Sequence, residues 1–142
     1  MCGVLIASLV MADISTRIDT DAGLALIVLE GEVTAADVVD AAQTLHAQPQ
    51  WNVHHNVIWD GRGISSLVVG HEEVVEMVDA KIEDSIGKEI MIVVREVDHM
   101  IATLCALLMK ARGREAEVVA TLEEALAALG LDRLPAPLAR VA

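Results

Sequence analysis

The sequence predicts an α/β domain built on a five-stranded, mostly parallel sheet with about four helices. From residue 34 onwards, helix-like and strand-like segments alternate, and successive βα units favour a parallel sheet. Of the 142 residues, 54% are hydrophobic and 23% are charged, which is apolar enough for one packed core. Trp51 and Trp59 are the two aromatic residues, so aliphatic side chains and Met must fill that core.

The first elements form a hairpin and a helix. Residues 14–19 and 24–33 are rich in strand formers, and the turn residues between them predict antiparallel pairing. Thr34 then stands as the N-cap of a helix over residues 35–47, with Asp37 as its partner in the first turn.

The middle of the chain predicts a strand, a loop, a helix and another strand. Residues 54–60 form the strand, and residues 61–66, which contain two glycines and two serines, lead out of it as a loop. The second helix opens at Glu72 and closes at Gly87. Residues 89–94 are a short apolar run, which is typical of a strand buried on both faces.

Two more elements complete the domain. Asp98 is predicted to cap a third helix over residues 99–112. A fifth strand over residues 115–120 then meets a Thr-x-x-Glu capping box at residues 121–124, which starts a fourth helix ending at Gly130.

These elements place one domain at residues 12–130, between two flanking segments. Residues 1–11 are interpreted as an apolar leader, either a disordered segment or an arm that adds to a neighbouring subunit. Its apolar stretch is too short to span a bilayer. Residues 131–142 contain two prolines and are interpreted as a C-terminal tail.

Charge and cysteine content bound the class of partner. Asp and Glu number 22 against 10 Lys and Arg, and the resulting net charge of −12 repels nucleic acids and anionic membrane surfaces. Cys2 and Cys105 form no ligand or disulfide spacing, which fits a reducing compartment and a cytoplasmic protein.

Three segments resemble the STAS domain family, named for sulfate transporters and anti-sigma factor antagonists, and especially its stand-alone bacterial members. Residues 29–34 resemble the family's second strand running through Gly-x-Val-Thr into its first helix. Residues 57–63 are similar to its central strand, which ends in Asp before a Gly-containing loop. Residues 115–126 are similar to its last strand and helix, so the likeness spans about residues 12–130.

The resemblance implies a regulatory domain, but it does not transfer the family's phosphorylated Ser. That Ser begins the second helix, where this chain has Val-Val-Gly-His at residues 68–71. Ser65 and Ser66 lie a few positions earlier and stay weak candidates for phosphorylation, because phosphate there would sit close to Glu72 and Glu73.

A set of polar residues follows the predicted parallel strands. In such sheets ligands bind beyond the carboxyl ends of the strands, where loops and helix N-termini meet. Two readings stay open: a rim that binds a small anion or other ligand, or ordinary caps and surface charges. The residues of this rim are Asp60, Arg62, His71, Arg95, Asp98 and His99.

The sequence carries no signature of catalysis, metal binding or a cofactor. His54 and His55 are neighbours in a predicted strand, so they point to opposite faces and cannot share one metal ion. Nothing in the order of residues positions a nucleophile against a base and an orienting acid, so we expect no enzyme.

The third helix carries more apolar residues than one sheet face can bury. A surplus of this kind predicts a second contact, which is a dimer interface, a partner groove or an apolar pocket, unless the helix is wholly buried in its own domain. The predicted interface consists of Val74, Val78, Met100, Leu104, Leu108 and Met109.

The sequence therefore predicts a non-enzymatic regulatory or scaffolding module that acts through protein association, as a homodimer. The alternative is a carrier or sensor of a small apolar or anionic ligand, with Arg62 or Arg95 holding its polar group.

Overall fold

A computed structural model describes residues 11–139 of the chain and has the predicted α/β architecture. The sheet has five strands in the order β1-β2-β3-β4-β5. The strands are β1 (Asp13–Asp19), β2 (Leu24–Thr34), β3 (Asn56–Val68), β4 (Glu89–Ile92) and β5 (Ala116–Val119). The helices are α1 (Ala35–His46), α2 (His71–Ile82), α3 (Glu96–Ala111) and α4 (Leu122–Ala128). The predicted leader at residues 1–11 lies outside the described residues except for Met11.

The sheet is mixed, as the predicted hairpin requires. Strands β1 and β2 pair antiparallel, and Gly23 adopts a φ of +63° in the turn that joins them. Each later strand pairs parallel with its neighbour. Sequential βα units therefore build the parallel part of the sheet.

Local capping signals were correct at two helix starts. Thr34 Oγ1 accepts from the Asp37 amide at 3.2 Å, and the Asp37 carboxylate accepts from the Thr34 amide at 2.9 Å. At α4, Thr121 Oγ1 accepts from the Glu124 amide at 3.1 Å. Both helices begin where their caps predict because these bonds satisfy amides that lack an intrahelical acceptor.

Strand β3 is longer than predicted, because residues 61–66 do not form a loop. They continue β3 alongside the long β2, and the register shifts at two places where β3 has one residue more than β2 between paired positions. A Cβ on Gly61 would lie 2.7 Å from the Ile92 carbonyl oxygen, and one on Gly63 would lie 2.7 Å from the Glu30 side chain. These glycines permit close approach between strands, and this use of Gly looks like a turn signal in the sequence.

The third helix also starts earlier than predicted, and Asp98 is not its N-cap. Helix α3 begins at Glu96 after an Arg95 N-cap, which puts Asp98 at the third helical position, where it is buried. An acidic residue is favourable both at an N-cap and inside the first turn, so the sequence signal does not separate the two positions.

The second helix ends at Ile82, not near Gly87. The connection that follows turns through Asp84, which has a φ of 55°, and returns to the sheet past His55. A Cβ on Gly87 would overlap the His55 carbonyl group, so Gly87 serves close packing and not a helix end.

The sheet separates two apolar clusters. Helices α1, α2 and α3 cover one face, to which β3 contributes Val57 and Trp59. Helix α4 covers the other face, to which β3 contributes Ile58. This alternation follows from the two-residue period of a strand.

The segment interpreted as a tail is part of the second cluster. Leu138 lies in a short 3-10 turn (Ala136–Leu138) and is fully buried with α4 and the sheet. Arg17 of β1 donates to the carbonyl oxygens of Leu138 and Ala139, at 3.4 and 3.1 Å. The packed domain therefore extends at least to Leu138.

Candidate functional site

The first two residues of the predicted rim bind each other. Arg62 Nε and Nη2 donate to the two carboxylate oxygens of Asp60 at 2.9 and 2.8 Å, and the Arg62 amide donates to the same carboxylate at 3.1 Å. The hydrogen bonding of the Arg62 guanidinium to the Asp60 carboxylate is the main cause of the raised pKa of Arg62. A bidentate pair is the strongest arrangement of Arg with a carboxylate. Much of the hydrogen-bonding capacity of Arg62 is therefore used inside the protein.

A second pair lies at the start of α3. Arg95 Nη1 donates to the Ser65 carbonyl oxygen and lies 3.7 Å from the Asp98 carboxylate. Burial raises the pKa of Asp98, while the positive charge of Arg95 partly offsets this. Arg95 thus ties the first turn of α3 to β3.

The structure does not assemble the six rim residues into one open site. Asp60 and Arg62 line a groove with Leu122 and Leu138, which belong to the α4 face of the sheet. The Arg95–Asp98 pair belongs to α3, which packs on the opposite face. His71 is exposed at the start of α2, and His99 Nδ1 lies 3.3 Å from Thr103 Oγ1 within α3.

A small cavity lies between the helix layer and the sheet. Its volume is about 50 Å³. A cavity needs about 10–15 Å³ of such space to hold one water molecule, so this one has room for about four non-hydrogen atoms. The lining is apolar except for one amine. Its residues come from β2, β3, β4, all three helices of that face and nearby connections: Leu29, Val38, Trp59, Gly61, Ile64, Leu67, Met77, Lys81, Met91, Ile92, Val93, Ile101, Ala102 and Cys105.

Lys81 is the amine in this cavity, and only 3% of its surface is exposed. Its Nζ donates to Met91 Sδ at 3.2 Å and lies 4.2 Å from the centroid of the Trp59 ring. A thioether is a weak acceptor, and the ring face offers a cation–π contact. Lys81 lies on the buried side of α2 because it continues the stripe of Val74 and Val78 at steps of four and three residues.

Glu89, at the start of β4, is buried beside this amine. Glu89 Oε1 accepts from Trp59 Nε1 at 2.7 Å, and Glu89 Oε2 accepts from Ser85 Oγ at 3.3 Å. Trp59 therefore connects the two ionisable groups, with its ring under Lys81 and its N–H on Glu89.

Burial disfavours charge on each ionisable group of this cluster. Desolvation lowers the pKa of Lys81, although Cys105 and Glu89 act in the opposite direction. Desolvation raises the pKa of Glu89 to about 7, against its ordinary value of 4.5, and Lys81, Trp59 and Ser85 limit the rise. Burial also raises the pKa of the Cys105 thiol. Burial thus shifts both Lys81 and Glu89 towards their uncharged forms.

This cluster was not predicted from the sequence. Its members come from β3, α2 and β4, and each looks ordinary within its own element: Trp59 as a core ring, Lys81 as a surface charge and Glu89 as a strand end. The signal for it in the sequence is Lys81 on an otherwise apolar stripe of α2.

The predicted interface divides into buried and exposed residues. Val74, Val78 and Met109 lie in the core of the domain, with exposures of 2%, 0% and 0%, so their assignment to a surface interface was wrong. Each points inward because it occupies the sheet-facing side of its helix. Met100 is exposed, and Leu104 and Leu108 are half-buried.

A continuous apolar surface covers the side of α3 that faces away from the sheet. Val97, Met100 and Leu107 are 67%, 69% and 56% exposed. The apolar residues of this surface recur at steps of three and four residues, so they form one stripe along the helix. We call it the α3 outer face, and its residues are Val97, Met100, Ile101, Leu104, Leu107 and Leu108.

Residues 11–139 contain no group of three or more His, Cys, Asp and Glu side chains arranged to hold a metal ion. His55 instead packs against Trp51 with ring centroids 5.5 Å apart, and His46 lies 4.8 Å from the same ring. Within the same part of the chain, no helix has the length and hydrophobicity needed to cross a bilayer.

The chain matches no protein-family model, and no match is found among curated proteins. The fold class is therefore established by the structure, whereas the resemblance to the STAS family stays a prediction.

Proposed function

We propose that this protein is a non-enzymatic regulatory or scaffolding module that associates with a second copy of itself through the α3 outer face. The observation that carries the proposal is the exposure of Val97, Met100 and Leu107 in one stripe. Side chains of this size gain free energy when they leave water, at about 25 cal/mol for each Å² of apolar surface.

Charge favours a second copy at this face over other faces of the chain. Residues 95–114 contain four basic residues, Arg95, Lys110, Arg112 and Arg114, and two acidic ones, while the whole chain has a net charge of −12. Contact at α3 therefore avoids the repulsion that two copies would experience if they met at more acidic surfaces.

An antiparallel pair of α3 helices also matches charge along its length. The first turn of α3 carries Glu96, and its last turn carries Lys110. A two-fold axis near Leu104 would bring Glu96 of one copy towards the basic end of the other, and each copy would use the same surface.

The size of the contact predicts weak association. A helix of 16 residues is about 24 Å long, so a stripe about 10 Å wide gives a footprint of about 240 Å². Stable dimers bury about 800 Å² on each partner, so we expect a contact made by α3 alone to be weaker than that of a stable dimer and to depend on protein concentration.

Sedimentation velocity over a range of protein concentrations tests this proposal. The wild type should shift from monomer to dimer, and Met100→Asp together with Leu107→Asp should hold the chain as a folded monomer. Raising the salt concentration should strengthen the dimer, because salt screens the negative charge of both copies. Met109→Asp is unsuitable because it would place a charge in the core.

Val53→Asp is the matched control. Val53 is 38% exposed on the connection between α1 and β3, so this change replaces an apolar residue by Asp outside the α3 outer face and adds one of the two negative charges of the double variant. A wild type that stays monomeric at every concentration and salt, or a dimer that persists in the double variant, would disprove the proposal.

The alternative function, carriage or sensing of a small molecule, is supported by the apolar cavity. The polar group for such a ligand would be Lys81, because Lys81 lines the cavity whereas Arg62 and Arg95 are engaged by Asp60, Ser65 and Asp98. Native mass spectrometry after gentle purification tests it, since a retained molecule would add mass to the folded chain. A folded protein with no added mass would argue against this function.

A further inference from the structure

The Lys81 amine is poorly solvated in its charged form. An ammonium group has three donors, and among the described residues its one hydrogen-bond acceptor is the Met91 thioether sulfur, 3.2 Å away. The Trp59 ring supplies the other contact with the nitrogen. Glu89 directs its two carboxylate oxygens to Trp59 and Ser85. The neutral amine, with a free lone pair, suits these surroundings better than the ammonium.

The cavity that Lys81 lines is small, apolar and bounded on one side by accessible side chains. Its deep residues, such as Trp59, Met91 and Cys105, are buried. Ile64, Leu67, Val93 and Ile101 line it too, and these are half-buried. They follow the carboxyl ends of the parallel pairing between β3 and β4 or lie in the first turns of α3, which is where ligands enter sheets of this type.

The chemistry of the cavity selects a neutral, electrophilic ligand. A hydrocarbon of this size would give the amine no partner beyond Met91 and Trp59. An anion would bring a further negative charge near Glu89, which already acts on Lys81 through its charge. A small aldehyde or ketone fits the apolar lining with its carbon chain and presents a carbonyl carbon to the amine.

We propose that Lys81 captures a small aldehyde or ketone of about four non-hydrogen atoms as an imine in this cavity. The neutral Nζ attacks the carbonyl carbon, and a new C–N bond forms. The nitrogen then loses both of its protons, and the carbonyl oxygen leaves with them as water, so the step needs no oxidant or reductant. Lowering of the pKa of Lys81 by burial supports the reaction at neutral pH.

This inference rests on the carrier or sensor function and deepens it. It names the class of molecule and the bond that holds it. Its failure is distinguishable from failure of the carrier function, because a ligand could be retained in the cavity without forming a bond to Lys81.

Reductive trapping on the intact chain tests the proposal. The chain has three lysines, Lys81, Lys88 and Lys110. The folded protein is incubated briefly with propanal at neutral pH and reduced with borohydride, and peptide mass mapping then locates the propyl groups. At short incubation times Lys81 should carry most of the label and the exposed Lys110 little, because the lowered pKa of Lys81 leaves more of its amine neutral.

Unfolding in urea should abolish the preference, because all three amines then have the same surroundings. Ala102→Val, which narrows the cavity but keeps Lys81, should slow labelling of Lys81 and leave Lys110 unchanged. Lys81→Met should remove the fast site while the other amines react as before.

Two results would overturn the proposal. One is labelling of Lys110 with Lys81 unmodified, and the other is a Lys81 rate that Ala102→Val does not change. If native mass spectrometry shows a retained molecule but borohydride traps no adduct on Lys81, carbonyl capture is refuted and the carrier function stands.

Discussion

Replacement of Glu89 by Gln should remove a large part of the pH dependence of stability. In the folded chain Glu89 holds its proton up to a pKa of about 7, whereas a solvated Glu loses it near 4.5. Between these values the folded state binds more protons than the unfolded state, so stability falls as pH rises. The shift of about 2.5 units is equivalent to about 3 kcal/mol, fully developed above pH 7.

Glu89→Gln keeps the geometry and removes the titration. The amide oxygen can still accept from Trp59 Nε1, and the amide nitrogen can donate to Ser85 Oγ. The difference in unfolding free energy, variant minus wild type, should therefore become about 3 kcal/mol more positive from pH 4.5 to above pH 7.

Urea unfolding at intervals between about pH 5 and about pH 8 measures most of this difference. The control is Glu117→Gln, which removes one exposed carboxyl group from β5 and so reports any general effect of lower net charge. A difference between Glu89→Gln and wild type that stays constant with pH would show that Glu89 is ionised throughout, and the reasoning about the buried cluster would be refuted.

Three further predictions concern stability and are checked by urea unfolding at fixed pH. Leu138→Ala should cost about 2–5 kcal/mol, since Leu138 is fully buried, whereas a true tail would show almost no effect. Gly87→Ala should cost about 3 kcal/mol, because the new Cβ would overlap the His55 carbonyl group, and an unchanged midpoint would contradict this. Thr34→Ala should cost about 1 kcal/mol by breaking the capping box with Asp37, and a loss below a few tenths would argue against the cap.

Signals that act over a few residues were read correctly from the sequence. The hairpin turn ending at Gly23, the Thr34 cap and the Thr121 cap all depend on bonds between residues close in the chain. Where one residue type serves two purposes, the prediction was wrong. Gly61 and Gly63 suggested a loop but permit close strand packing, and Asp98 suggested a cap but occupies the first turn.

The partners of the polar site residues depend on tertiary contacts, which cannot be predicted from the spacing of these residues in the sequence. Asp60 and Arg62 were selected as neighbours of a strand end, but they lie inside the longer β3 and bind each other. Lys81 appeared to be an ordinary helix residue, because its burial depends on Trp59 and Met91 from two different strands.

The sequence by itself determined the alternation of strands and helices, the hairpin and the caps, since hydrophobic period and capping chemistry are local properties. Tertiary structure decided which side of α3 faces water and which groups share a cavity. Those outcomes follow from packing three helices on one face of the sheet. This packing brings Trp59, Lys81 and Glu89 together, although they are as many as 30 residues apart in the sequence.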